Sequence, residues 1–138
     1  MPGRFQVIAG EPEWILDVAH NAQAAQSLAA SLAARPGRGR TIAVCGILGD
    51  KDVEAIVAAL APQVGRWIAV GLEGPRALAP AELARRIERA GGGSVLAAAD
   101  VAAGMAAARS EARPGDRVVA FGSFLTVGPA VSWLGAAH

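Results

Sequence analysis

Apolar positions along the chain fall into short continuous runs, and these alternate with longer Ala/Leu-rich stretches. Phe5–Ala9 and Trp14–Asp17 read as two short strands separated by the turn signal Gly10-Glu-Pro12. Asn21–Ala34, with Leu28 and Leu32 four residues apart, predicts a helix that stops at Arg35-Pro36-Gly37. Arg40–Leu48 predicts a buried strand, and Lys51–Leu60 a helix preceded by Gly49-Asp50, an acidic residue where a cap belongs. The pattern then repeats. Arg66–Val70 is a strand, and Pro80 stands at a helix start before Glu82–Ala90, which Gly91-Gly-Gly93 ends. Ser94–Leu96 is a short strand, and Asp100 caps a helix that runs to Ala112. Arg117–Phe121 is the strongest strand of all, and a closing helix covers Val127–Leu134.

Strands that are unbroken apolar runs, alternating with helices, imply an α/β fold with a mostly parallel sheet covered on both faces. No linker, repeat or low-complexity tract interrupts the chain, so residues 1–138 read as a single domain. In open sheets of this kind ligands bind beyond the carboxyl ends of the strands. That rule selects Asp17–Asn21, Gly46–Asp52, Gly71–Arg76 and Gly122–Thr126 as the places to search for chemistry.

Composition narrows the function classes. The chain is 53% hydrophobic but only 4% aromatic, with no Tyr, so its core is built from Val, Ile, Leu and Ala. A net charge of +1 with mixed signs makes no electrostatic case for nucleic acid or a membrane surface. The one cysteine, Cys45, excludes an internal disulfide, fits a reducing compartment, and lies in an apolar run where a buried strand residue is expected. No apolar stretch reaches the ~18 residues of a membrane helix. Met1-Pro-Gly-Arg-Phe5 lacks a basic-then-apolar signal pattern. A cytoplasmic protein is the expectation.

Asp17-Val-Ala-His-Asn21 carries the most chemistry: a carboxylate, an imidazole and a carboxamide where a strand ends and a helix begins. The free N–H groups of a helix start attract phosphate or carboxylate. Equally, Asn21 can be a plain cap and His20 a solvated turn residue. Arg4, just ahead of the first strand, is either solvated or a fork of donors for phosphate oxygens. Gly46–Asp52 is a glycine-containing turn in which Lys51 either grips an anion or decorates a helix start. Gly122–Thr126 follows the last strand, with Ser123 offering a hydroxyl in what is otherwise an ordinary strand-to-helix turn. Pro75-Arg76 reads as a loop with one exposed base. A Gly-x-x-x-x-Gly-Lys-Ser/Thr loop, a Gly-x-Gly-x-x-Gly fingerprint, zinc-type Cys/His spacing and Gly-x-Ser-x-Gly are all missing, so no complete catalytic machine and no metal site is readable.

Taken in order, several motifs resemble the C-terminal domain of the folylpolyglutamate synthase/dihydrofolate synthase family. They are Pro2-Gly-Arg-Phe5, Trp14-Ile-Leu-Asp-Val-Ala-His-Asn21, Gly46-Ile-Leu-Gly-Asp-Lys-Asp52, Pro75-Arg-Ala-Leu78 and Val118-Val-Ala-Phe-Gly-Ser-Phe-Leu-Thr-Val-Gly128. That family is one of the Mur-ligase-like ATP-dependent amide ligases, which activate a carboxylate as an acyl phosphate for attack by an amine. The resemblance implies a Rossmann-like three-layer domain, the last part of a three-part ligase whose N-terminal and central region in cis holds the phosphate loop and the Mg²⁺ ligands. It implies ATP, L-glutamate and dihydropteroate or folate as partners, a monomeric parent, and an isolated domain without activity.

Residue by residue, Arg4 matches an arginine that contacts ATP phosphates and Asp17 an aspartate that binds ATP through ribose hydroxyls. His20 matches the histidine of the same motif, near the reacting groups, with a positioning role. Ser123 matches a serine near the incoming amino acid. The chain departs from many relatives in having Ala22 where proline follows the His-Asn pair; alanine is a good helix former, so little loss is expected. Two alternatives remain at this point. One is the matching domain of a peptidoglycan or cyanophycin ligase, against which the Gly-Arg-Phe opening and the Gly-Ser-Phe-Leu-Thr-Val-Gly run argue. The other is a non-enzymatic nucleotide-binding or interaction module with the same fold.

Overall fold

Six strands and five α-helices follow one another in a computed structural model that describes residues 4–35 and 39–137. The order is β1 (Gln6–Ile8), β2 (Glu13–Asp17), α1 (Ala22–Ala34), β3 (Thr41–Cys45), α2 (Val53–Leu60), β4 (Arg66–Val70), α3 (Pro80–Ile87), β5 (Val95–Ala98), α4 (Val101–Glu111), β6 (Arg117–Phe121) and α5 (Phe124–Ala137). Pro2, Gly3 and the Pro36-Gly37 stop signal lie outside the described residues. The strands form one sheet in the order β1-β2-β6-β3-β4-β5. Every pairing is parallel except β1 with β2, which is antiparallel. This is the expected mostly parallel α/β architecture, with one hairpin strand at its edge.

Alternation along each strand builds the two cores. Ile15, Ala43, Cys45, Trp67, Ala69, Val119 and Phe121 pack with α1, α2 and α3. Their neighbours Trp14, Leu16, Ile42, Val44, Ile68, Val70, Val118 and Ala120 pack with α4 and α5. Both strand faces are apolar because both are covered, which is why the runs look continuous in sequence. Cys45 is fully buried, and burial pushes its thiol pKa up, so it behaves as a small hydrophobe. The steps β2→β3, β3→β4 and β4→β5 move one way across the sheet, with α1–α3 on one face. The return from β5 to β6 moves the other way with α4 on the opposite face, as a single crossover hand requires.

Several element ends differ from the sequence reading. The β3 ladder stops at Cys45, and Gly46–Leu48 leave it to make a loop in which Leu48 bridges Ala77. Of the two aspartates flanking Lys51, it is Asp52 that caps α2, accepting from Ala55 N. Helix α3 starts at Pro80 and ends in a wider turn over Glu88–Gly92, where Gly91 takes φ +104°. Helix α5 starts at Phe124, three residues before the expected Val127, because Ser123 accepts the first amides of the helix. Ala22 does begin α1, and Asn21 caps it by accepting from Ala24 N at 2.8 Å, so the missing proline costs no helix start.

Polar groups at the amino ends of the strands are tied to one another. Arg117 is 6% exposed. Its guanidinium donates to Thr41 Oγ1 at 2.8 Å, to Leu32 O at 3.0 Å and to Arg35 O, closing the last turn of α1 with a positive charge. Asp116 accepts from Arg40 N, Arg113 N and Arg40 Nε. Arg35 pairs bidentately with Glu13, and Arg66 with Glu111. This end of the sheet is structural.

Candidate functional site

The opposite end is arranged differently. Strand β6 lies between β2 and β3, and its helix α5 leaves on the face opposite to α1 and α2. That change of face opens a crevice beyond the carboxyl ends of the three strands, where Asp17, Phe121 and Cys45 stand side by side in register. Because β1 runs antiparallel, its beginning reaches the same edge: the ladder ends at Gln6↔Leu16, which leaves Phe5 opposite Asp17. A cleft of about 250 Å³ there is lined by Arg4, Phe5, Asp17 to Asn21, and Ala24, Ser27, Leu28 and Ser31 of α1. The structure therefore brings Arg4, Asp17 and His20 together. Ser123 shares their sheet edge, two residues after Phe121, but is not among the residues lining this cleft.

Asp17 holds the site's geometry. Its Oδ2 accepts from Phe5 N at 3.0 Å and its Oδ1 from Ala19 N at 2.8 Å, so one carboxylate ties β1 to the turn before α1. Partial burial raises its pKa above the ordinary value, against the opposing pull of those two amides and of the Arg4 charge. A carboxylate has roughly four acceptor sites, so each oxygen keeps one after these bonds. Phe5, which the sequence reading did not single out as a site residue, has φ +41°, a conformation that costs a bulky residue of order 1–3 kcal/mol. Its ring packs against the core on the α1 face. Nothing local in the sequence signals that conformation; the hairpin and the Asp17 contact impose it.

His20 is exposed, and its Nδ1 lies 2.9 Å from the Val18 carbonyl. A carbonyl oxygen only accepts, so Nδ1 is the donor in this contact and Nε2 is left unused by it. Ser123 Oγ accepts from Leu125 N at 3.0 Å, and its carbonyl accepts from Thr126 N and Val127 N. Its hydroxyl is thus an N-cap that still has a proton to donate. Thr126, fully buried, donates from Oγ1 to Gly46 O at 2.9 Å. Gly122 takes φ +136°, and a side chain there would stand 1.8 Å from Gly46 O, so only glycine lets the two loops touch. The β3–α2 loop is held in turn by Gly49 N on Arg76 O and by the Arg76–Asp50 ion pair at 3.0 Å. Arg76, read from sequence as an exposed base, therefore has a carboxylate partner.

Among the described residues no group of three or more His, Cys, Asp or Glu is placed to hold a metal ion. The cleft side chains therefore do not make up a ligand set for a resident metal. Among the described residues, too, no helix is long and apolar enough to cross a membrane.

Sheet order, register and cleft together define a Rossmann-like α/β domain with a polar site at its topological switch point. The family described as Mur ligase, glutamate ligase domain, matches residues 3–124, and the chain belongs to it. The dihydrofolate synthase/folylpolyglutamate synthase of Escherichia coli (strain K12) is 40% identical over 127 residues, covering 92% of this chain and 29% of that relative. The solved structure of Escherichia coli FolC in complex with DHPP and ADP superposes with a TM-score of 0.90 at 36% identity, covering 99% of this chain and 32% of that one. A bifunctional folylpolyglutamate synthase/dihydrofolate synthase solved with Mn, AMPPNP and L-glutamate bound superposes with a TM-score of 0.87 at 37% identity, covering 98% of this chain and 32% of that one. The chain thus spans about a third of the length of these relatives.

Proposed function

We propose that this chain is the C-terminal portion of an ATP-dependent ligase that joins L-glutamate to dihydropteroate and to folates. Its part is to supply groups to the nucleotide and to close the site. The observation that carries this reading is the gathering of Arg4, Asp17 and His20 on one cleft at the switch point of the sheet. The nucleotides and L-glutamate held by the relatives named above support it.

In such a ligase a substrate carboxylate oxygen attacks the γ-phosphorus of ATP and ADP leaves. The amine of glutamate then attacks the acyl carbon as phosphate departs. Charge neutralisation and positioning dominate the barrier of the first step. Arg4 brings paired N–H donors to phosphate oxygens. The remaining acceptor sites of Asp17 suit ribose hydroxyls. His20, held by the Val18 carbonyl, orients the reacting groups through Nε2 and does not act as a base. The hydroxyl of Ser123, anchored as a cap, can donate to the incoming amino acid. Closure of this domain excludes water, which would otherwise hydrolyse the acyl phosphate. We assign the phosphate loop and the Mg²⁺ ligands to a preceding region in cis, and read the parent as a cytoplasmic monomer.

The test compares the 138-residue chain with the complete ligase. The chain alone is expected neither to hydrolyse ATP nor to extend folate with glutamate. In the complete ligase, Arg4→Ala is expected to raise KM for ATP by roughly tenfold or more, the scale of a lost charge-assisted hydrogen bond, with KM for glutamate little changed. Substantial ATP turnover by the chain alone overturns the reading, as does a complete ligase that extends a muropeptide and not folate.

A further inference from the structure

Arg4 enters the cleft from a backbone that three observations tie down at the next residue. Phe5 sits at φ +41°, where side-chain-bearing residues rarely rest. Its N–H is held by the Asp17 carboxylate at 3.0 Å. Its ring is half-buried and packed on the core beneath α1, the helix whose Ala24 and Leu28 line the same cleft. None of these contacts is needed to pair β1 with β2, whose ladder ends one residue later at Gln6. A residue next to the exposed start of an edge strand would otherwise sample many directions, and binding would have to order it.

We propose that Phe5 is a positioning residue for the nucleotide: its ring and its bond to Asp17 form a latch that fixes the backbone from which Arg4 reaches the phosphate groups. The proposal rests on the assignment of Arg4 to nucleotide phosphates made above. Phe5 contributes no charge and no donor to the ligand. The ring acts through the backbone that carries Arg4, while the bond to Asp17 is made by the Phe5 main chain and is retained when the ring is truncated.

A double-mutant cycle in the complete ligase tests this, with KM for ATP and KM for L-glutamate measured separately and urea midpoints as folding controls. Phe5→Ala is expected to raise KM for ATP by roughly tenfold while kcat and KM for glutamate stay within about twofold, the signature of lost preorganisation at one ligand. Phe5→Leu, which refills most of the apolar space, is expected to recover most of the loss. In the Arg4→Ala background Phe5→Ala is expected to add nothing, since residues acting through one contact are not additive. Additive losses in the double variant, or equal effects on ATP and glutamate, overturn the latch and leave the Arg4 assignment standing. An Arg4→Ala ligase with unchanged KM for ATP overturns both. Should Phe5→Ala fail to fold, Phe5→Gly, which also removes the ring but relieves the positive φ, completes the same cycle against Arg4→Ala with the same readings.

Discussion

Asp116 and Asp17 are each held by two backbone amides at opposite ends of the same sheet, yet their acidities move in opposite directions. Asp116, 5% exposed, accepts from the amides of Arg40 and Arg113 and also from the Arg40 guanidinium. Burial pushes its pKa up, but those amides and the Arg40 charge outweigh burial and hold it below the ordinary carboxylate value. Asp17 accepts from the amides of Phe5 and Ala19, and no guanidinium stands within ion-pairing distance of it among the described residues. Burial prevails there, and its pKa is raised. One difference between them is the paired Arg40 guanidinium. At the amino ends of the strands charges are matched internally; at the cleft a carboxylate and the Arg4 guanidinium are kept apart with bonding capacity left over, as the proposed nucleotide site requires.

The sharpest way to break this contrast is at Arg117, on the structural end. Arg117→Leu removes three donated hydrogen bonds and the positive charge at the end of α1, leaving the Arg35 carbonyl without that donor and the Leu32 carbonyl with the Arg35 amide alone. A loss of about 3 kcal/mol is expected in urea unfolding, in line with other broken buried polar networks. ADP affinity in the complete ligase, measured well below the melting point, is expected to stay within about twofold. A Leu variant as stable as the parent would show that this end is not the structural one.

Next in size is Asp116→Asn, expected to cost about 2 kcal/mol because one amide oxygen cannot serve three donors. Its pH profile carries the sign. A carboxylate whose folded pKa lies below its unfolded pKa stabilises the fold above the unfolded value, and that contribution is lost as pH falls through the folded value. Acid unfolding of the wild-type chain is therefore expected to include this loss, and the Asn variant to be flatter below the ordinary carboxylate range.

The two ends were not equally legible in the sequence. The four inner strands were readable as apolar runs because burial on both faces leaves an unbroken signature, while the more exposed edge strands β1 and β5 were readable from the turn signals beside them. Arg4, Asp17 and His20 were readable as a set since two of them share a turn and the third is brought back by a short hairpin. Contacts made at long range left no local trace. Thr126 meets Gly46 across 80 residues, and Arg117 meets Leu32 across 85. Choosing Asp52 over Asp50 as a cap depends on which carboxylate reaches Ala55 N, and both stand beside Lys51. The early start of α5 turned on Ser123 acting as a cap, in a Gly-Ser pair that reads equally well as a turn. A strained Phe5 could not be foreseen, since phenylalanine is a poor choice for that backbone and only the folded hairpin enforces it.

Asp17→Asn brings the contrast to the site end. One amide oxygen replaces two carboxylate oxygens, so either the Phe5 or the Ala19 N–H loses its acceptor, at about 1 kcal/mol, partly offset by relief from burying a charge. The pH dependence is expected to have the opposite sign to that of Asp116. With the folded pKa raised, the favourable contribution is fully present below the unfolded pKa and is lost as pH rises through the folded value. Replacing Asp17 removes that loss, so the variant is expected to recover ground on the wild type as pH climbs out of the carboxylate range. Matching slopes for the two Asn variants in pH-dependent unfolding would dissolve the distinction between the ends.

The smallest effect on stability is expected at Arg4, and it is the most informative. Its side chain is exposed, and none of the hydrogen bonds or ion pairs of the described residues uses its guanidinium, so Arg4→Ala is expected to change unfolding free energy by less than about 0.5 kcal/mol. Under the proposed function, a guanidinium that lines the cleft beside a half-buried carboxylate is kept for the nucleotide. The same substitution is therefore expected to weaken ADP binding by the complete ligase, and more so at low salt, where an unscreened guanidinium counts most. If Arg4→Ala instead costs stability on the scale of Arg117→Leu, its charge belongs to the fold, and the two ends of the sheet are built alike.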